Sequence, residues 1–361
     1  MSDETTDMSA GWLAMKEILG RVAVGPKGSR DLSEEQAYNA LKLCLEREPS
    51  DIQIGVFLIA LRLKRETLDE NRGFLRALRE SSTMLQSPAP RVLALCDPYD
   101  GFSRVPHFAP VVAAVLGACG LPTYVHGAWT MPPKDGITAR QVLQAFGVRM
   151  GHGYGQDSLN RAAARLASTG AAYVAVEDFC PPLAGMTSIR KEIAKRPFLA
   201  TLEKLIVPIR GSEETHVCSG WVHKGYDDVM MQLLQESDFT STFLLKGREG
   251  HVDPFLHTDT ETFAAKGKDP AVREWLRPKS YGLVISNDGD WDDLSAEGIA
   301  ELWDQALTRK HREVPGQTVR LLAGTMLAHC GVASTIMRGV GLAHNAIVSG
   351  QARQTLLQMG L

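Results

Sequence analysis

Apolar residues recur at helical spacing from the start of the chain to about Gln86, and in short unbroken runs after it. In the first stretch three capping boxes, Ser33-x-x-Gln36, Ser50-x-x-Gln53 and Thr67-x-x-Glu70, each predict a helix start. In each, the hydroxyl and the side chain three residues on satisfy two free backbone donors. Behind the second box, Ile54, Phe57, Leu58, Leu61 and Leu63 predict a buried face, followed by Arg62, Lys64 and Arg65 at the end where the helix dipole favours cations. Short loops between such helices imply a small antiparallel bundle.

The period changes at Arg91. Val92 to Cys96 is an apolar run of strand length, closed by Asp97, Pro98, Asp100 and Gly101. Phe108 to Cys119 predicts a helix, with Pro106 and Pro110 about its first turn, where a missing N–H is tolerated. Gly120 ends it, and Pro122 to Val125 predicts a second strand. Strand, helix and strand in this order make the crossover unit of a parallel sheet. Thr138 is the expected N-cap of a helix with Val142, Leu143 and Phe146 as its apolar stripe. Further helices are expected at Ser158 to Ser168, Asp227 to Glu236, Ser295 to Leu307, Thr318 to Cys330 and Thr335 to Ser349. Further strands are expected at Ala172 to Val176, Val217 to Val222, Thr242 to Lys246 and Tyr281 to Ser286. The fold class is therefore α/β: an N-terminal helical bundle over residues 1–86, joined to an α/β domain over 87–361 with a mainly parallel central sheet.

With 361 residues, 44% of them hydrophobic, the chain can bury a substantial core. A net charge of −3 gives no overall pull toward nucleic acid, so any such binding needs a local patch. The stretch Arg190 to Arg210 is the most basic, with Arg190, Lys191, Lys195, Arg196, Lys204 and Arg210 against Glu192 and Glu203. Cations between Arg62 and Arg79 are interleaved with Glu66, Asp69 and Glu70 and read as a solvated face. No run approaches the ~18 apolar residues of a membrane span. The acidic start Met1 to Asp7 is unlike a signal peptide, and the six cysteines lack metal or disulfide spacing. A cytoplasmic protein with no membrane partner is expected.

The loop between the first strand and its helix lies where parallel sheets bind ligands, and a helix N-terminus there favours anions. It carries Asp100, Gly101, Ser103, Arg104 and His107. Gly151 to Gly155 is glycine-rich but has no following Lys-Ser/Thr, so it reads as a connection and not a P-loop. Asn287 to Asp293 is acid-rich without the glycine and glutamate of an EF-hand, and its acids suit the start of the next helix.

These residues resemble the anthranilate phosphoribosyltransferase family, glycosyltransferase family 3, along nearly the full chain. In that family a G-T-G-G-D-G loop follows the strand, an N-x-S-T stretch opens the helix, and the next strand ends in K-H-G-N. This chain keeps Asp100-Gly101 and His126-Gly127. It has Cys96 to Tyr99 in place of the glycines, Pro106, Phe108 and Ala109 in place of the Asn/Ser/Thr set, and Ala128 in place of the last Asn. The family's S-S-x-x-G-S loop becomes Pro132-Pro133 with Lys134, a phosphate contact or a solvated lysine. Met186, Arg190 and Glu192 match a segment whose arginine holds the aromatic acceptor's carboxylate; Arg190 either does the same or pairs with an acid. Asp253 matches one of two acids that hold magnesium, and Pro254 replaces the other. The C-terminal helices match through Gly339 to Ala352, and the region Glu261 to Asp293 is lengthened.

The resemblance implies the nucleoside phosphorylase/phosphoribosyltransferase fold and a homodimer through the N-terminal helices. It also implies a cleft for a phosphorylated sugar such as phosphoribosyl pyrophosphate (PRPP), with Mg2+ as cofactor. Because the glycine loop, the hydroxyl set and the acidic pair are all altered, a divergent transferase not specific for anthranilate is expected. The alternative is a non-catalytic paralogue binding DNA or RNA through a basic patch, as a divergent branch of the family is thought to do. A pyrimidine nucleoside phosphorylase-like activity shares the fold but has no clearer motif here.

Overall fold

The computed structural model describes residues 9–25, 27–151, 155–283, 291, 294–308 and 312–360. Four helices open the chain: α1 (Ala10–Val22), α2 (Glu34–Leu45), α3 (Asp51–Lys64) and α4 (Leu68–Glu80). At α2, α3 and α4 the capping box forms, with Ser33, Ser50 and Thr67 accepting from the amide three residues on and its side chain returning the bond. On α3, Ile54, Phe57, Leu58 and Leu61 are fully buried, but Leu63 is 79% exposed, as is Ile52. The helix is apolar on two sides: one fills the bundle and the other faces outward.

After β1 (Leu85–Gln86) come β2 (Arg91–Cys96), α5 (Ala109–Ala118), β3 (Thr123–Gly127), α6 (Ala139–Ala145), α7 (Gln156–Ser168) and β4 (Ala171–Ala175). Four short helices then return to the bundle: α8 (Val176–Phe179), α9 (Pro181–Ala184), α10 (Thr187–Glu192) and α11 (Leu199–Leu202), with a 3-10 turn at Glu203–Leu205. α10 lies against α3, and α11 with the turn lies against α4. Phe198 enters the bundle core, its ring 4.4 Å from that of Phe74 and 6.1 Å from that of Phe57. The helical lobe thus draws on two separate stretches of chain.

β5 (Ile209–Arg210) leaves the lobe and pairs in parallel with β1. It is followed by β6 (Glu214–Trp221), α12 (Tyr226–Gln235), β7 (Ser241–Lys246), β8 (Thr260–Lys266) and β9 (Val272–Leu276). The main sheet runs β4-β3-β2-β6-β7-β8-β9, with the first five strands parallel and the last two antiparallel. Of the strand expected at Tyr281–Ser286, only the first three residues are described and they are not a strand: Tyr281 ends a 3-10 turn, and Leu283 is buried in a small cluster with Leu256, Leu276 and Leu321. Tyr281 and Leu283 pack on that satellite core; residues 284–286 lie outside those described, as do 152–154 and, apart from Trp291, the acid-rich run 287–293.

Four helices close the chain: α13 (Ala296–Leu307), α14 (Val314–His329), α15 (Ile336–Val348) and α16 (Gln351–Leu357). α13 starts on the Ser295 hydroxyl, which accepts from the Gly298 amide. α5 lies between β3 and β4 on one side and α14, α15 and α16 on the other. That position explains its lack of a polar face. At the α14–α15 crossing a Cβ on Gly339 would stand 2.3 Å from the Gly324 carbonyl oxygen, so only glycine permits this backbone contact. Among the described residues no helix is long and apolar enough to cross a membrane, and all six cysteines are free.

Candidate functional site

β2, β6 and β7 end side by side at Cys96, Trp221 and Lys246. The loops that follow them, with the segment between α10 and the 3-10 turn, enclose a cleft of about 350 Å³. Arg62, Arg104, Lys134, Arg196 and Lys204 line it, against the acids Asp100 and Glu249.

The loop after β2 is shaped at Gly101, whose φ is +71° and whose added Cβ would meet the Gly136 carbonyl oxygen at 2.4 Å. This close approach lets Phe102 bridge to Ile137 and brings Lys134 within 2.5 Å of the Gly101 carbonyl. Asp100 is fully buried and ion-paired with Arg196. Ser103 and Arg104 turn their amides toward the Glu249 carboxylate, at 3.3 and 3.0 Å, and the Ser103 hydroxyl adds a third bond at 3.3 Å. Lys134 Nζ stands 2.6 Å from the same carboxylate. Burial pushes the Glu249 carboxyl up, but Lys134 and the two amides more than reverse this and leave it below the usual range. The Arg104 side chain is 79% exposed at the cleft mouth.

Lys204 is buried, with Nζ donating to the Gly220 carbonyl and, at 3.4 Å, to that of Gly250. Burial, then the nearby Arg196, push its ammonium down to about 8. It lines the cleft wall as a cation without a carboxylate within ion-pair distance among the described residues.

Four residues expected at the ligand site, His107, His126, Gly127 and Arg190, are buried inside the protein. His107 is buried, with its ring 4.6 Å from Phe102 and edge-on to Trp303 at 6.0 Å. Neither of its nitrogens finds a hydrogen-bond partner among the described residues, and burial pushes its pKa down to about 3. His126 is buried too, bonded through Nδ1 to the Tyr99 hydroxyl at 2.6 Å, with Nε2 3.3 Å from the Cys96 sulfur. Gly127 is buried at the end of β3, paired with Ala175. Arg190 has no exposure: Nη1 reaches Glu203 at 2.5 Å, Nη2 reaches it at 3.3 Å, and Nε donates to the Pro132 carbonyl at 3.3 Å. The chain reverses between α10 and the 3-10 turn, and that reversal closes its planar fork on an internal acid.

Asp253 was expected to hold magnesium. It is buried, and its Oδ2 accepts from the Phe108 amide at 3.0 Å, so it caps α5. Burial, then the nearby Asp97, push its carboxyl well above the usual range. With Oδ2 on the Phe108 amide, Oδ1 is left without a partner among the described residues, and Pro254 stands where the resemblance places a second carboxylate. Among the described residues no group of three or more His, Cys, Asp or Glu stands close enough to hold a metal. Asp100, Arg104 and Lys134, expected at the cleft, line it, as does Glu249, the acid that organises it and that no sequence pattern points to.

Two family models match the chain: the helical bundle domain of the glycosyl transferase family over residues 16–82, and the a/b domain of that family over residues 108–353. An uncharacterized protein of Aquifex aeolicus is 27% identical over 313 residues, covering 86% of this chain and 92% of its own. The anthranilate phosphoribosyltransferase of Geobacillus kaustophilus is 25% identical over 346 residues, covering 96% and 97%. Among solved structures, the anthranilate phosphoribosyltransferase from Saccharomyces cerevisiae in complex with PRPP and Mg is 15% identical. It covers 98% of both chains with a TM-score of 0.78, a likeness of fold.

Proposed function

The chain belongs to the glycosyl transferase family, and within it we propose a divergent member that binds a phosphorylated sugar such as PRPP in the cleft without specificity for anthranilate. The observation that carries this reading is the convergence of Arg62, Arg104, Lys134, Arg196 and Lys204 on one cleft against two acids. Charge-assisted contacts contribute roughly 1.5–3 kcal/mol each, so a few of them suffice for a small phosphate ester. The yeast relative's complex with PRPP is of the same fold and supports the ligand class. Titration calorimetry with PRPP, with magnesium and with a chelator, tests it. Binding in both conditions is expected, weakened about tenfold or more by Arg104→Ala. Silence in both, or an unchanged affinity in Arg104→Ala, overturns it.

A homodimer through the N-terminal helices is part of this reading. A second, more apolar groove of about 1030 Å³ runs along the outer face of α3, lined by Ile52, Val56, Ile59, Leu63, Ile189 and Ile193. It lies away from the strand ends, and a contiguous exposed apolar surface of this kind marks an interaction site. Light scattering of the wild type and of Ile52→Glu with Leu63→Glu tests it; a wild-type monomer would sink the dimer.

One observation favours nucleic acid as a second reading: Lys191, Lys195, Arg62 and Arg65 are all exposed, and Arg62 lines the cleft with Arg196. Backbone-directed binding would show a log-affinity slope against log salt of about −0.9 per neutralised phosphate on duplex. Oligonucleotide anisotropy with Lys191, Lys195 and Arg196 changed to Glu decides it. A flat salt response, or binding untouched by the triple change, removes this reading.

A further inference from the structure

Glu249 holds a backbone conformation that its side chain disfavours, with φ at +53° and ψ at 6°. This left-handed region suits glycine; a residue with a Cβ stays there only when its surroundings fix it. What fixes Glu249 lies on the opposite wall of the cleft. Its carboxylate, 3% exposed, receives the amides of Ser103 and Arg104, the Ser103 hydroxyl and the Lys134 ammonium, with Arg104 Nε at 3.7 Å. Consecutive amides turned on one point, joined by a hydroxyl and an ammonium, form a concavity for an oxyanion. An internal carboxylate fills this one. It carries a single charge on two oxygens, whereas a diphosphate offers more of both to the same donors. The two cannot share the donors, because like charges at this separation repel.

We propose that Glu249 is an internal counter-anion seated in a phosphate cradle built by Ser103, Arg104 and Lys134, and that it competes with diphosphate groups for these donors, lowering their affinity without excluding them. The proposal rests on the reading that the cleft takes a phosphate-bearing ligand. It assigns Glu249 as the residue that sets how tightly such anions bind, and the removal of one side chain tests it.

Titration calorimetry with inorganic pyrophosphate on the wild type, Glu249→Gly, Glu249→Gln and the double variant Glu249→Gly with Lys134→Ala provides the test. Glycine relieves the left-handed backbone, and glutamine keeps the shape while removing the charge, so one folded variant suffices; circular-dichroism melts identify which variants fold. Pyrophosphate should bind Glu249→Gly at least tenfold more tightly than the wild type, and the gain should vanish when Lys134 is also lost. Equal affinity in the wild type and in every folded single variant overturns the proposal, as does a gain that survives the loss of Lys134. Titration of the wild type with PRPP separates the two readings. PRPP binding with no gain in Glu249→Gly rejects the counter-anion alone, whereas no binding by any variant rejects the cleft reading with it.

Discussion

Arg196 and Asp100 join two walls of the cleft: Nη2 donates to Oδ1 at 3.1 Å, and Nε stands 3.0 Å from Oδ2. The carboxylate is fully buried while the guanidinium is 38% exposed, so the partners are not equivalent. Removing the arginine strands a buried charge, whereas removing the acid frees a cation that water can reach. Arg196→Ala should therefore lower stability by about 1–3 kcal/mol, discounted for the exposed partner. Asp100→Asn should cost less and leave anion affinity in place. Urea unfolding of both variants checks the order, and the reverse order would show that the pair is not organised by Asp100.

Asp97 gives the protein a pH-dependent cost. Burial pushes its carboxyl up to about 7, with Oδ1 accepting from the Val252 amide at 3.0 Å and Oδ2 unpartnered among the described residues. A raised folded pKa means that the folded state binds the proton more tightly. This contribution is present below about pH 4 and is lost as pH rises to about 7. Asp97→Asn should therefore gain stability relative to the wild type between pH 5 and pH 8, by on the order of 2 kcal/mol. The buried histidines His107 and His126, both pushed down to about 3, act oppositely and destabilise the fold as pH falls below about 6.5. Urea midpoints of the two proteins at both pH values isolate the Asp97 contribution; a constant difference would refute it.

His107 offers a ring and no hydrogen bond from it. Trp303 donates to its backbone carbonyl at 2.8 Å, a bond that any residue here keeps. His107→Phe preserves the stack and removes two buried nitrogens without partners, so stability should rise by about 1 kcal/mol and cleft affinity should not change. A weaker PRPP titration in this variant would return His107 to the site.

Arg190 is the residue on which anthranilate binding would depend, and three of its donors are engaged with Glu203 and Pro132. The chain should fail to restore growth of a tryptophan auxotroph lacking the family enzyme. Arg190→Ala should cost about 3–5 kcal/mol, because Glu203 stays buried and unpaired. Arg190→Met combined with Glu203→Leu should recover most of that loss. Growth without tryptophan, or a single variant as stable as the wild type, contradicts this account.

What could be read from the sequence was local. Ser33, Ser50, Thr67 and Thr138 announce their helices because each capping partner is three residues away. The antiparallel pair β8 and β9 was not read. Its outer strand buries only Leu276 and so lacks the apolar run that marks a central strand. The partners within the site are hidden from the sequence for a different reason. Glu203 meets Arg190 through a chain reversal, and Glu249 meets Ser103 across 146 residues, distances that no local pattern encodes. His107 and His126 are polar residues buried by their surroundings, and nothing in their neighbours' identity distinguishes that from a ligand contact.

The split construction of the helical lobe bears on how the protein is made. Phe57 and Phe74 lie on helices that precede Phe198 in the chain, yet the ring that packs on both belongs to Phe198. Until that residue emerges, the nascent bundle presents an uncovered aromatic surface while β2, β3 and β4 are still being synthesised. Domains generally fold in order of synthesis, but here the helices made earlier cannot complete their core until the later segment carrying Phe198 is made.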